Sequence, residues 1–223
     1  MLFNLIPAPS ILISYIFVLL TAFAVHEFAH AFTANLFGDQ TPAINGRLTL
    51  NPLAHLDIMG SLMLLVAGFG WAKPVPVNVY ALERRSRWAP LWVSLAGPLS
   101  NLIMAFVFSI PFMFGLVTYQ QAMLGMATAQ AHVLPTPAQL LYVFVSTNIL
   151  LMLFNLIPLS PLDGEKVLYY LLPVGGQHVM DQIRPYGPIL LLVLVFGGFL
   201  LNFNLLGQII TPPMNFFINL LIR

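Results

Sequence analysis

The chain has 223 residues, 59% of them hydrophobic and only 7% charged, with a formal net charge of +1 and a mean hydropathy of +0.90. A soluble domain carries about 25% charged residues, so eight basic and seven acidic side chains cannot cover a water-facing surface of this size. The composition reads as an all-α polytopic membrane protein. No basic, aromatic-interleaved patch points to nucleic acid, and the absence of cysteine leaves only histidine and carboxylate to hold a metal such as zinc.

In chain order, residues 1–9 are a short lead-in without the basic n-region of a signal peptide. Residues 10–37 form a first spanning helix, ended by Gly38. A turn signal and alternation over 44–51 predict a short membrane-associated β-ribbon. Residues 57–70 are apolar but short for a span, which suits a re-entrant or interfacial helix. Residues 71–88 read as an irregular, extended, basic connection. A second span runs from Trp88 to about Val117, an uncharged loop covers 118–138, and a third span runs from Gln139 to about Pro158. Pro158 and Pro161 interrupt that helix. Helix resumes over Glu165–Leu172, and a further span starts at Pro185. The last stretch, 204–222, is broken by Pro212-Pro213, and its path is open: crossing, dipping or lying on the surface. The count is thus five to six transmembrane or re-entrant helices.

The first span carries His26-Glu27-Phe28-Ala29-His30. Histidines four apart share one face of a helix, so both imidazoles can reach one Zn²⁺, and the intervening glutamate is placed to activate water. Ser10 to Phe37 holds no other charged residue, and ionisable groups at membrane depth imply function.

Five of the eight basic residues, Arg47, Lys73, Arg84, Arg85 and Arg87, lie between 39 and 88, and Lys166 and Arg184 follow the third span. The positive-inside rule then puts both connections in the cytoplasm and the N-terminus outside, provided 57–70 does not cross. His26 and His30 fall in the cytoplasmic half of the first helix. Asp163 lies just past the cytoplasmic end of the third, which runs parallel to the first. The predicted metal site is His26, His30 and Asp163 with water as fourth ligand, the open form of a zinc centre.

Three separated motifs now stand in order: His26-Glu27-Phe28-Ala29-His30, Ala96-Gly97-Pro98-Leu99-Ser100-Asn101, and Asn155-Leu156-Ile157-Pro158 through Leu162-Asp163-Gly164. With the Gly46–Pro52 stretch they resemble the site-2 protease family, the M50 intramembrane zinc metalloproteases, in a compact form without PDZ or CBS domain. The resemblance spans about residues 20–170. It implies one membrane-embedded peptidase domain over 1–223, with a core of about 10–172 and accessory helices over about 185–222. It implies one zinc held by His26, His30 and Asp163, with Glu27 as catalytic base. Asn155 is the candidate oxyanion donor by resemblance as much as by position, or else satisfies backbone freed by Pro158. The implied substrate is a single-pass transmembrane segment, which the 44–51 ribbon could bind as an added strand. The implied location is a prokaryotic inner membrane, with the site towards the cytoplasm.

The alternatives are a non-catalytic protein that binds client helices and a metal transporter. The first need not keep Glu27, both histidines and Asp163. The second would require further ligands along other spans. Gly97, Ser100 and Gly164 suit close helix packing, and Asn101 suits either an interhelical hydrogen bond or substrate contact. His55 and Asp57 are interfacial or accessory, His132 and His178 read as solvated loop residues, and the arginines at 84–87 set topology.

Overall fold

A computed structural model describes residues 8–60, 63, 70–201 and 204–222. Helix α1 spans Pro9–Leu36, roughly 42 Å at 1.5 Å per residue. Pro9 opens it, where a missing N–H costs nothing. Gly38, at φ +88°, closes it in the left-handed conformation that glycine adopts without strain. A short α2 covers Thr41–Ile44 and α3 covers Val79–Arg85. The long α4, Ala89–Met113, packs against α1. Helix α5 spans Tyr119–Ala127, and α6, Pro137–Asn155, lies against both α4 and α1. Three helices follow: α7 at Asp163–Leu171, α8 at Val174–Ile183 and α9 at Gly187–Leu201. Helix α10, Leu205–Leu221, completes the order.

Among the described residues, four stretches are long and apolar enough to cross a membrane: Pro9–Leu36, Ala89–Met113, Pro137–Asn155 and Val174–Gly197. The fourth starts earlier than the expected Pro185, because helix runs almost without a break from α8 through a 3₁₀ turn at Arg184–Tyr186 into α9. Helix α10 is shorter but buries its apolar side along α6. Ile210 joins Ile157 and Leu162 in one cluster, while Leu221 joins Ala138 and Ala122 in another at the opposite end of α6.

The ribbon expected over 44–51 does not form. Local side-chain bonds fold the segment on itself instead, in competition with any ladder. Asp39 accepts the Thr41 N–H at 2.9 Å and starts α2, and Gly46 at φ +67° turns the chain. The buried Arg47 donates to the Ala54 carbonyl. Asn51 caps a 3₁₀ turn at Pro52–Ala54, and His55 holds the Thr49 carbonyl at 2.8 Å. Among the described residues the β pairing is an isolated bridge between Leu56 and Ala72. Two expected irregular regions contain helix. The 118–138 loop holds α5, opened by a Thr118–Gln121 capping box, and the 71–88 connection holds α3, capped by Asn78. The expected 57–70 helix lies largely outside the described residues.

Candidate metal centre

Helix α1 supplies two candidate ligands because its period puts His26 and His30 on one face, with their rings edge to face and 4.7 Å apart. The third arrives at the start of α7. After Asn155 the prolines end α6, and the chain reverses so tightly that a Cβ on Gly164 would lie 2.3 Å from the Leu156 carbonyl oxygen. Only glycine admits that approach, and it sets Asp163 opposite the two imidazoles. The three side chains are buried, at 6%, 8% and 8% exposure for His26, His30 and Asp163.

The facing atoms form a nearly equilateral triangle. His26 Nε2 lies 3.1 Å from His30 Nε2, and Asp163 Oδ2 lies 3.2 and 3.1 Å from the two nitrogens. The edge of a tetrahedron with zinc–ligand bonds of about 2.0–2.1 Å is about 3.3 Å, so the spacing suits one ion. The proton positions agree. His30 Nδ1 lies 2.6 Å from the Val93 carbonyl, which can only accept, so that nitrogen carries the proton and Nε2 presents a lone pair. His26 Nδ1 lies 2.6 Å from Asn101 Oδ1 and holds its proton in the same way. Two imidazole lone pairs and a carboxylate oxygen in mutual contact repel one another unless a cation lies among them. The donor set therefore fits zinc with one position open.

Helix α4 forms the floor of the site. A Cβ on Gly97 would lie 2.3 Å from His30 Nε2 and 2.5 Å from His26 Nε2. Glu27, half-buried beside the ligands, accepts the Val75 N–H through Oε2 at 3.2 Å. The extended segment that carries Val75 is fastened again at Asn78, whose N–H meets the buried Asp39 carboxylate at 2.6 Å.

Of the predicted site residues, the structure brings His26, His30 and Asp163 together, and among the described residues they are the one such group of potential ligands. Asn155 is the last residue of α6, and its amide donates to the Leu151 carbonyl one turn back at 2.9 Å. His55 and Asp57 are tied into their own loop, Asp57 through the Gly60 N–H. His132 is exposed in a loop, while His178 is exposed on α8 rather than in a loop. Sequence reasoning missed Asn148, which accepts from Asn101 at 2.9 Å; its one signal was a polar residue within the apolar third span. It also missed Asp39, and the buried Glu165, which Arg184 pairs with at 2.7 Å.

A helical membrane bundle holding two histidines of an H-E-x-x-H helix and a later aspartate around one open zinc position is the architecture of a membrane metalloprotease. Residues 14–198 match Peptidase family M50, and the chain belongs to that family. It is 44% identical over 176 residues to YwhC of Bacillus subtilis, a match covering 79% of this chain and 77% of that protein. Rip2 of Mycolicibacterium smegmatis is 30% identical over 185 residues, covering 79% and 64% of the two chains. Rip2 of Mycobacterium tuberculosis is 31% identical over 184 residues, covering 78% and 63%. All three are named as zinc metalloproteases. No solved structure matches the chain significantly.

Proposed function

We propose that the chain is an intramembrane endopeptidase that hydrolyses a peptide bond in or beside a transmembrane segment of a membrane-protein substrate. The observation that carries this reading is the buried triangle of His26, His30 and Asp163 with Glu27 beside it. Zinc held there supplies a Lewis acid that activates water and polarises the scissile carbonyl. Glu27 takes the proton from the attacking water and returns it to the leaving amine. The Val75 N–H holds its carboxylate in place meanwhile. Asn155 is the proposed donor to the developing oxyanion, and for this its amide has to turn away from the Leu151 carbonyl.

The basic residues support an orientation with the site towards the cytoplasm. Arg84, Arg85 and Arg87 are exposed on the connection that follows the His30 end of α1. Bacterial relatives support a prokaryotic inner membrane. We read residues 1–223 as one peptidase domain, with α8, α9 and α10 accessory to a core over about 10–172. The test is cleavage of single-pass membrane segments by purified protein in liposomes, with and without a zinc chelator, and with Glu27→Gln as control. Chelator-sensitive cleavage that the variant lacks is the expected result. Cleavage that survives both chelation and Glu27→Gln refutes the assignment.

A further inference from the structure

We infer that Asn101 and Asn148 form a positioning relay that decides which nitrogen of His26 carries the proton and so leaves Nε2 free to meet a metal; this rests on the metalloprotease reading above. Both asparagines have 0% exposure, so neither can exchange partners with water. The relay starts at a group whose polarity is fixed. The Phe144 carbonyl only accepts, so Asn148, 2.9 Å away, must turn Nδ2 towards it. Oδ1 of Asn148 then faces Asn101 and accepts its Nδ2 at 2.9 Å. That leaves Asn101 Oδ1 facing His26 Nδ1 at 2.6 Å, so Nδ1 must carry the imidazole proton and Nε2 must point its lone pair at Asp163 and His30.

Each amide has one donor side and one acceptor side towards its neighbours, so reversing either would set two acceptors or two donors together at buried distance. A single backbone carbonyl on α6 thereby sets the protonation pattern of a ligand on α1, through α4. Asn148 hydrogen-bonds to none of the three candidate ligands, and Asn101 hydrogen-bonds to His26 alone of them. Their effect is on positioning and not on the reacting atoms. Ligand-orienting partners of this kind change metal affinity about 10–100-fold when removed.

The experiment measures zinc affinity by chelator competition on purified protein in detergent, with the visible spectrum of the Co²⁺-loaded protein as a second readout. Asn148→Leu keeps the γ-branched shape of the side chain, with bulkier methyl groups, but frees Asn101 to reverse. It is expected to weaken zinc about 10–100-fold and to alter the Co²⁺ spectrum. Asn101→Leu is expected to do the same. The double variant Asn101→Asp/Asn148→Leu is the decisive case. A carboxylate at 101 has only acceptors and needs no instruction from 148, so the double variant should recover most of the affinity and the wild-type spectrum. Wild-type affinity in folded Asn148→Leu overturns the relay. So does a double variant no better than Asn148→Leu, as packing alone would give. If Asn148→Leu fails to fold, Asn101→Asp/Asn148→Leu against Asn101→Leu/Asn148→Leu gives the same contrast. Wild type that takes up no zinc or cobalt overturns the metal-centre reading itself, and the relay with it.

Discussion

Gly97→Ala is the sharpest test of the candidate metal centre, because one methyl group is added against both imidazoles at once. The new Cβ would lie 2.3 Å from His30 Nε2, 2.5 Å from His26 Nε2 and 2.6 Å from His26 Cε1. An ordinary carbon contact needs about 3.5 Å, so the shortfall is roughly 1 Å in each direction. The imidazoles cannot swing aside freely, since His26 is bonded to Asn101 and His30 to the Val93 carbonyl, both at 2.6 Å. Either the rings leave their partners or α4 moves away from α1. Overpacking of this kind costs about 1–3 kcal/mol of stability, which a folded bundle can survive. Displacing ligands by about 1 Å is expected to cost about 100-fold or more in function, with a comparable loss of zinc affinity. The assay is zinc affinity by chelator competition, alongside helical content and thermal melting of the metal-free protein. Zinc held by Gly97→Ala within about threefold of wild type would refute the close passage of α4 beneath the ligands.

Glu27→Gln is expected to abolish cleavage while retaining stoichiometric zinc, measured by metal analysis beside a substrate assay; lost zinc would make Glu27 a ligand instead of a base. Asn155→Ala is expected to lower kcat by about 100–1000-fold with little change in KM if its amide meets the oxyanion. An unchanged kcat would leave it as a helix-end residue bonded to Leu151. Arg184→Ala leaves the buried Glu165 carboxylate without its partner. The cost is expected at about 1–3 kcal/mol, below the range for fully buried pairs because the guanidinium is partly solvated. A double-mutant cycle with Glu165→Gln, read by thermal melting, should show the two changes to be non-additive.

Much of the candidate centre is legible in the sequence because it depends on short-range geometry. A helix period alone aligns His26 with His30. Charge bias across the connections led to the expectation of Asp163 at the same membrane depth, and the structure sets the three side chains close together. The ribbon at 44–51 failed for the opposite reason. Its apolar alternation is real, but Arg47, Asn51 and His55 bond to nearby backbone, and such bonds leave no periodic trace. The sequence by itself determined the membrane class, the long apolar helices and the three candidate ligands, since hydropathy and helical spacing are local properties of the chain. Only the tertiary structure decided what surrounds them: Gly97 against the imidazoles, the Val93 carbonyl on His30, and Asn148 acting on His26 through Asn101. Those contacts join residues dozens of positions apart, and their donor and acceptor roles are fixed only when three helices meet in a space that water cannot enter.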